Sequence, residues 1–265
     1  ILPAALKPDD PACVASHPGA TYGGLLCRCG TSAGEIEELF AAIIEHYRAK
    51  GLKRLEYRSV PPHLHSSFAQ EDLYAIWKRG AEVARRDVWN VMILRDRPAY
   101  SKHHQRAIAR AKKGGIAVRV ADSVPSYREF HKMLAACLAE RHGTTPVHTL
   151  DEILSLRERF PSDIALWLAQ DGNEELLAGC WVFKFGTKAW HTQYIASTPT
   201  GRDRCATHIM FDHVIRAADK GAVVCLSFGA STEHNGRQLN SGLFDFKAGF
   251  GDGAVCHDIY HLKLE

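Results

Sequence analysis

Polar side chains cluster in a short segment that directly follows an apolar, strand-like run over residues 223–228. The segment contains Ser231, Glu233, Asn235, Arg237 and Asn240. Loops at the ends of strands commonly carry function, and a carboxylate partly buried there can have a raised pKa and accept a proton. Glu233 is therefore a candidate general base, and the other four are candidate substrate ligands. The alternative is a simple turn in which Asn235 and Gly236 supply positive φ angles.

Three further side chains could take part in proton transfer or in substrate binding. His191 lies in a strand-like run over residues 190–197, where it is either a base or a satisfied core histidine. Tyr260 could donate a proton to a leaving group, although a strand tyrosine more often packs in a core. Lys247 precedes the segment Gly249-Phe-Gly251, whose glycines permit a close backbone approach to a ligand. We interpret Lys247 as a substrate ligand or as a surface lysine on a short helix.

An anion site is predicted where the strand at 190–197 gives way to a helix at 204–220. The first amides of a helix lack intrahelical partners and carry the positive end of its dipole, which suits a phosphate. Arg202 and Arg204 could add charge-assisted contacts, or could be solvated loop residues. The candidate phosphate-binding set is Ser197, Arg202, Arg204, Cys205, Ala206 and Thr207.

A second basic feature is the predicted helix at residues 102–113. Its cations recur at three- and four-residue spacing, at Lys102, Arg106, Arg110, Lys112 and Lys113. They could hold a phosphorylated acceptor or form a solvated helix face. The cysteines show neither the spacing of a zinc site nor that of a disulfide framework, so we predict no metal and a reducing compartment. Cys180, Cys225 and Cys256 lie in strand-like runs and are expected to pack as small hydrophobic residues.

The elements that carry these residues repeat along the chain. A strand at 20–26, a helix at 32–50 and a strand at 52–57 are followed later by a strand at 190–197, a helix at 204–220 and a strand at 223–228. Lys-Gly pairs end both helices. A strand, a helix and a strand so closely linked form a right-handed parallel unit. The sequence therefore predicts an α/β fold of two tandem units, each a mixed and partly splayed sheet flanked by helices, divided into residues 1–120 and 121–265.

The remaining elements complete this pattern. We predict a hairpin over 72–94 that turns near Gly80, a strand at 116–120, helices at 127–141 and 148–160, and a hairpin of strands 164–169 and 176–185. Thr149 is a plausible N-cap of the helix at 148–160.

Composition narrows the class of protein. Of 265 residues, 46% are hydrophobic and 24% charged, as in ordinary globular proteins, and a net charge of +3 is too small to indicate DNA as the partner. No apolar run approaches the roughly 18 residues of a membrane helix, so we expect a cytoplasmic protein without integral membrane association. The oligomeric state, a homodimer included, is left open.

Three stretches resemble the GNAT acetyltransferase superfamily, and more closely its Fem-like (FemAB-related) branch, in which two GNAT-like units sit in tandem. They are Glu140-Arg-His-Gly-Thr-Thr-Pro146, His191-Thr-Gln-Tyr-Ile-Ala-Ser197, and the run from Phe228 to Asn240 continued by Phe246-Lys-Ala-Gly-Phe-Gly251. The resemblance covers most of the chain but is weak before residue 95. One departure is that Cys205 stands where many GNAT enzymes have the first glycine of the pyrophosphate-binding loop.

The resemblance implies an acyltransferase that uses acetyl-CoA or another acyl-CoA as co-substrate. Its acceptor would be an amino sugar or nucleotide sugar of bacterial polysaccharide or cell-envelope biosynthesis. Fem-like enzymes carry a lysine in a segment similar to that around Lys247, facing the substrate region. Two alternatives stay open: a Fem-type aminoacyltransferase with aminoacyl-tRNA as donor, and a non-catalytic binding protein that kept the fold. The acyl-transfer hypothesis requires that the strands ending near Ser197 and Phe228 be parallel and diverge.

Overall fold

The computed structural model describes residues 1–18, 20–67, 69–251 and 253–264, the side chain of His142 excepted. Its strands are β1 Ala4–Lys7, β2 Asp10–Ser16, β3 Arg54–Arg58, β4 Glu82–Ile93, β5 Ala117–Ala121, β6 Ile164–Gln170, β7 Leu176–Phe185, β8 Ala189–Ser197, β9 Cys225–Ala230, β10 Thr232–Glu233, β11 Gln238–Leu239 and β12 Gly253–Lys263. Its α-helices are α1 Ala33–Ala49, α2 Glu71–Lys78, α3 Lys102–Lys113, α4 Val124–His142, α5 Leu150–Arg159, α6 Pro199–Asp203, α7 Ala206–Lys220 and α8 Ser241–Ala248.

Contacts divide the chain into two compact units, neither of which is continuous in sequence. The first comprises Ile1–Trp89, Ala230–Asn240 and Val255–Glu265, and the second comprises Asn90–Gly229 and Ser241–Ala254. The boundary near residue 121 stays a prediction. The segment 230–240, which the sequence assigns to the C-terminal half, makes most of its contacts within the first unit.

The first unit is built on four neighbouring strands in the order β1-β2-β3-β12. β2 and β3 are parallel, whereas β1 and β12 run antiparallel to their neighbours. Helices α1 and α2 cover the sheet with the apolar side chains of Ile36, Phe40 and Ile76. These residues are buried because the 3.6-residue period of each helix places its apolar positions on one face.

The second unit has the strand order β9-β8-β7-β6-β5, with β8 and β9 parallel and the other pairs antiparallel. Side chains alternate across β7: Cys180 and Val182 join a core with α3 and α7, whereas Trp181 joins a core with α4 and α5. Helices therefore cover both faces. The predicted fold class, α/β units with mixed sheets flanked by helices, is confirmed.

Two sequence-based elements are wrong. Residues 20–26 form no strand, and β2 precedes α1 instead. The N-terminal arm of the hairpin predicted over 72–94 is helix α2, in which Ile76 is fully buried while its neighbour Trp77 is 63% exposed. The spacing of Leu73 and Ile76 fits a helix better than the alternation of a strand. Gly80, with φ +86°, ends the helix before β4.

The remaining helices follow the sequence closely. α3 coincides with the predicted helix at 102–113, and Thr149 caps α5 by accepting the amide of Glu152. Cys180 and Cys225 are buried as expected, but Cys256 is exposed, because it lies near the start of β12 before that strand enters the core. Among the described residues, no helix combines the length and apolarity needed to cross a membrane.

Candidate functional site

Strands β8 and β9 of the second unit diverge after a short paired stretch. Their parallel pairing joins Ala189 to Cys225, Trp190 to Leu226 and His191 to Ser227, and no further pair forms within the described residues. β8 nevertheless continues to Ser197 and β9 to Ala230. The predicted parallel and diverging strands are confirmed, and the crevice begins directly after His191.

A β-bulge in β8 contributes to this divergence. Trp181 of β7 pairs with Tyr194, and the next residue, Val182, pairs with Thr192, so Gln193 is the additional residue. A bulge bends its strand and increases the local twist. The bulge also interrupts strict alternation: Tyr194 and Thr192 pair with the adjacent residues Trp181 and Val182 and so face opposite sides of the sheet. Tyr194 packs against Trp181 and bonds His148 at 2.7 Å.

A buried polar cluster lies where the two strands separate. His191 Nδ1 and Ser227 Oγ are hydrogen-bonded at 3.1 Å, and the Gly229 amide donates to the same hydroxyl at 3.2 Å. Lys247 Nζ donates to the Gly229 carbonyl at 3.1 Å. Gly229 has φ +72°, and a Cβ there would lie 3.4 Å from the His191 ring, so glycine suits both its conformation and this approach. We call His191, Ser227, Gly229 and Lys247 the crevice cluster.

Lys247 is not a surface residue, so that interpretation is wrong. It lies near the end of α8 and is only 3% exposed, with its ammonium at the end of β9. A buried ammonium is costly unless it is paired and hydrogen-bonded, and such groups concentrate at functional sites. The structure therefore brings together two of the predicted residues, His191 and Lys247.

Ser227 and Gly229 belong to the cluster but were not singled out from the sequence. Both lie in the apolar run of β9, where a small hydroxyl residue and a glycine fit a packed strand equally well. The only available signal was the glycine near a strand end, which can mark a close approach of backbone or ligand.

The predicted phosphate-binding set surrounds the junction between α6 and α7. The long helix begins at Ala206 rather than at residue 204, and Cys205 before it has φ +59°. Several amides of the junction already have partners: Gly201 N–H donates to Thr198 Oγ1 at 2.9 Å, and Arg202 and Arg204 donate to the carbonyls of Thr198 and Thr200. No acidic residue occupies the first turn of α7. Its N-terminus can therefore face an anion, although with fewer available amides than a glycine loop offers.

The two arginines of the junction differ in their contacts. Arg202 donates to the carbonyl of Ser197, at the end of β8, at 3.0 Å, and its other nitrogen lies 3.8 Å from Glu140. Arg204 is held by Asp171 at 2.9 Å and by the Gly114 carbonyl at 2.8 Å. Arg202 therefore lies beside the crevice strand, whereas Arg204 joins α3 to the junction. Ala206 is fully buried and Thr207 half-buried.

Residues 231–240 form a tight hairpin in the first unit. β10 and β11 pair through two residues each, and His234, Asn235 and Gly236 have φ angles of +49°, +55° and +79°. The turn interpretation is thus confirmed, and the side chains of Asn235 and Arg237 are exposed at its tip.

The inner part of the hairpin is held by hydrogen bonds. Glu233 accepts from the Asn240 amide nitrogen at 2.7 Å, and the Ser231 carbonyl accepts from the Asn240 backbone amide at 2.9 Å. Glu233 as a general base, and Ser231, Asn235, Arg237 and Asn240 as substrate ligands, stay predictions.

Tyr260 packs in the core of the first unit, on β12. Burial raises its pKa to about 12, assisted by Asp258, whose carboxylate accepts from the Tyr260 hydroxyl at 3.1 Å. Asp258 is in turn paired with Arg86 at 2.7 Å. Tyr260 keeps its proton at neutral pH, and its role as a proton donor stays a prediction.

Within the described parts of the chain, no three His, Cys, Asp or Glu side chains are grouped as metal ligands. His257 and His261, four residues apart on β12, have separate contacts: the Ser59 carbonyl at 2.8 Å and Glu56 at 3.4 Å.

Comparison with known proteins identifies the fold. No protein-family model and no curated protein matches the sequence. Among solved structures, FemX has a TM-score of 0.66 at 12% identity, over 93% of this chain and 82% of that chain. The C-terminal domain of a putative lysylphosphatidylglycerol synthetase from Agrobacterium fabrum has a TM-score of 0.60 at 12% identity, over 88% and 75%. A tandem GNAT protein from the clavulanic acid biosynthesis pathway has a TM-score of 0.50 at 11% identity, over 96% and 76%. These similarities show the fold alone, which is the one shared by FemX and the tandem GNAT protein.

Proposed function

We propose that the chain is an acyltransferase, and that its second unit moves an acyl group from an activated ester or thioester onto an amine. The observation that carries the proposal is the parting of β8 and β9 directly after His191 and Ser227, above the buried crevice cluster. Strands that diverge leave backbone N–H groups able to bind a carbonyl oxygen on which negative charge develops. Crevices at the carboxyl ends of strands are the usual ligand sites of open α/β sheets.

The proposed reaction is a direct transfer that forms no covalent bond to the protein. The amine nitrogen attacks the acyl carbon, the new C–N bond forms, and the bond from that carbon to the leaving sulfur or oxygen breaks. The proton lost by the amine ends on the leaving atom, so that an amide and a free thiol or alcohol result. His191 is our preferred carrier of that proton, because it lies at the start of the crevice, and Glu233 remains the alternative base.

Lys247 is suited to stabilise the oxyanion of the tetrahedral intermediate. Its ammonium is fixed by α8 at the end of β9 rather than being free to move in solvent. A donor fixed before the reaction strengthens its interaction as the charge develops and needs no reorganisation.

For the donor we propose acetyl-CoA or another acyl-CoA, and for the acceptor an amino sugar or nucleotide sugar of an envelope or polysaccharide precursor. The N-terminus of α7, which has no acidic residue in its first turn, and Arg202 beside Ser197 favour a phosphate-bearing donor. A cytoplasmic location is consistent with such substrates.

A second candidate is aminoacyl transfer from aminoacyl-tRNA. It is favoured by the α6–α7 junction, where Cys205 replaces a motif glycine and three amides already have partners. A junction with so few available amides binds a pyrophosphate weakly, whereas an aminoacyl ester has no pyrophosphate to bind there.

The test is transfer by the purified chain from labelled acetyl-CoA, and from charged tRNA, to a panel of amino sugars and nucleotide amino sugars. Product formation with either donor, reduced at least 100-fold in His191→Gln, supports the proposal. His213→Gln is the matched control, because His213 is an exposed histidine of α7. Equal rates in both variants would contradict the assignment of the crevice, and so would the absence of amide with both donors and with the simple thioester acetyl-pantetheine.

A further inference from the structure

Helix α3 of the second unit presents a face of positive charges that forms no ion pair with the residues the structure describes. Lys102, Arg106, Arg110, Lys112 and Lys113 are all exposed, and the helix contains no acidic residue. None of them takes part in the ion pairs formed by residues that the structure describes. We call these five residues the α3 cations.

The arrangement of the α3 cations weakens the helix that carries them. Lys102, Arg106 and Arg110 follow one another at four-residue spacing, where like charges repel. A turn of helix separates neighbours along this row by about 6 Å, and the whole helix is about 18 Å long. A row of this length and spacing matches one acidic helix of a partner, which would remove the repulsion by charge complementarity.

Both ends of α3 lie next to the start of α7. Near its N-terminal end, the rings of His104 and His208 are 4.9 Å apart, and His104 bonds the Phe246 carbonyl of α8 at 2.7 Å. At its C-terminal end, the carbonyl of Gly114 accepts from Arg204 of the α6–α7 junction at 2.8 Å. His104 makes its contacts from the buried face of α3, whereas the α3 cations lie on the exposed part of the helix. A partner seated on the α3 cations would therefore be separated from the start of α7, and from the helix that carries Lys247, by about the width of one helix, roughly 10–12 Å.

We propose that the α3 cations dock a small acidic carrier protein that presents the acyl group as a thioester on a phosphopantetheine arm. The inference rests on the acyl transfer proposed above, and it replaces the free acyl-CoA donor by the same thioester chemistry bound to a protein. Such an arm carries one phosphate instead of the pyrophosphate of coenzyme A, which suits a junction whose amides are largely occupied. In the transfer step the amine forms the C–N bond, the C–S bond of the arm breaks, and the amine proton passes to the arm's sulfur, releasing the carrier with a free thiol.

A polynucleotide is the less favoured occupant. Its binding domains typically have a pI above about 9, whereas this chain has a pI of 8.4 and a net charge of +3. The α3 cations are confined to one helix, as docking of a single acidic helix requires.

Docking is tested first, without any need for the acceptor. Binding of a purified bacterial acyl carrier protein, in its apo form, is measured by fluorescence anisotropy at 50 and 200 mM salt. We expect the triple variant Arg106→Glu/Arg110→Glu/Lys113→Glu to weaken binding at least 10-fold. The matched control is Arg128→Glu/Lys132→Glu/Arg159→Glu, which makes the same change of charge at exposed positions of α4 and α5 and is expected to retain binding. Equal weakening in both variants, or no binding by the unmodified chain, overturns the inference.

Transfer assays then distinguish the carrier-protein hypothesis from the acyl-transfer hypothesis. With acetyl-carrier protein as donor, the α3 triple variant should lose at least 10-fold in kcat/KM, while its rate with acetyl-pantetheine, which lacks the carrier, stays unchanged. Transfer from acetyl-pantetheine without docking would refute the carrier and leave the acyl transfer standing. Docking without transfer from any donor would refute the acyl transfer alone. Binding of charged tRNA that is lost in the α3 variant, with no response to the carrier, would assign the face to RNA and overturn the inference.

Discussion

The chain contains the same strand–helix–strand arrangement twice, once in each unit. Among the residues that the structure describes, the paired strands diverge into a crevice in the second unit only. β2 and β3 pair in parallel from Cys13–Arg54 to Ala15–Glu56, and β8 and β9 pair in parallel from Ala189–Cys225 to His191–Ser227. Each stretch is three residue pairs long. The copies differ beyond the paired stretch: β2 ends at Ser16, whereas β8 continues to Ser197.

In the first unit the point of separation is bridged. Ser16 Oγ accepts from the Arg58 amide at 2.8 Å, the Arg58 carbonyl accepts from Gly23 at 3.1 Å, and the Arg58 guanidinium donates to the Ala20 carbonyl at 2.9 Å. The irregular segment 20–26 thus occupies the place that a ligand could take. Backbone groups must be paired when they are buried, so a copy that pairs them internally has no crevice to offer.

The two helices of the repeat, α1 and α7, also differ in whether their N-termini are satisfied within the chain. α1 begins with a capping box in which Glu35 accepts the Ser32 amide, and this hydrogen bond lowers the pKa of Glu35. The carboxylate supplies the negative charge that the helix N-terminus favours. α7 has neither a side-chain cap nor an acid in its first turn. The start of α1 is therefore satisfied within the chain, whereas the start of α7 lacks these groups, as the proposed phosphate site requires.

The largest expected effect is that of Lys247→Met on activity. Methionine keeps most of the buried volume but removes the charge near the end of β9, and loss of one oxyanion donor costs about 10²–10³ in kcat. Lys7→Met is the counterpart in the first unit, where Lys7 pairs with Glu56 at 3.0 Å. We expect Lys7→Met to leave kcat within about two-fold of the unmodified chain. Transfer assays compare kcat in the two variants, and circular dichroism verifies that both are folded. Equal losses of kcat would contradict the proposal that the second unit alone carries the oxyanion donor.

Two glycines at helix starts give the next largest contrast, in stability. A Cβ on Gly201 of α6 would lie 2.0 Å from the Leu177 carbonyl oxygen, whereas one on Gly34 of α1 meets only Ser32 Oγ at 4.0 Å. Gly201→Ala forces helix and strand apart, and overpacking of this kind costs about 1–3 kcal/mol or more. Gly34→Ala should stabilise by up to about 1 kcal/mol, because alanine loses less backbone entropy than glycine. Urea unfolding of both variants measures the difference, and a tolerated Gly201→Ala would refute the close packing of α6 on β7.

The sequence was most informative where local pattern and tertiary role agree. The boundaries of α3 and the Thr149 cap were predicted from spacing and cap chemistry, and the divergence at Ser197 and Phe228 came with the GNAT resemblance. The strand predicted at 20–26 failed because its apolar residues, such as Leu25, pack as an irregular segment whose amide bonds the Tyr57 hydroxyl at 2.9 Å. A polar partner more than thirty residues away leaves no local signal.

The candidate site shows the same limit. His191 and Lys247 could be named from the sequence, but the contact between Lys247 and Gly229 depends on where α8 docks on β9. Ser227 carries no signal of its own, because a serine within an apolar strand is equally a packing residue. Burial also could not be predicted for Lys247, since a lysine in a short helix is usually exposed.

A smaller contrast concerns pH. Burial, followed by the charges of His104 and His103, lowers the pKa of His208 in α7 to about 4. Because the unfolded chain binds a proton on this residue near pH 6.5 and the folded one does not, stability falls as the pH drops from about 6.5 towards 4. One proton corresponds to at most about 1.4 kcal/mol per pH unit. His208→Phe should flatten the dependence of Tm on pH in this window, and the exposed His213→Gln should not; identical slopes in all three proteins would contradict the burial of His208. Glu35 of α1 shows the opposite case, a carboxylate whose pKa is lowered in the folded chain. Its contribution to stability is present when the pH is above the pKa of the unfolded chain, and it is lost as the pH falls through the lower pKa of the folded chain.

The smallest effects are expected at the caps of the two helices, and they have opposite signs. Cys205 before α7 has φ +59°, a conformation that glycine adopts without the strain of about 1–2 kcal/mol that other residues incur, but glycine also gives up the thiol's packing on the core. Cys205→Gly should therefore stabilise by less than about 1 kcal/mol, whereas Ser32→Ala should destabilise by about 1 kcal/mol because the capping box is lost. Calorimetric Tm values measure both changes in stability.

The same two variants also test where the donor binds. Glycine at residue 205 lets a pyrophosphate approach the backbone more closely. Tighter binding of acetyl-CoA by Cys205→Gly alone would therefore identify α7, and not α1, as the helix that contacts the donor. Unchanged affinity in both variants would mean that neither helix start binds the pyrophosphate, and would turn attention to a donor recognised elsewhere.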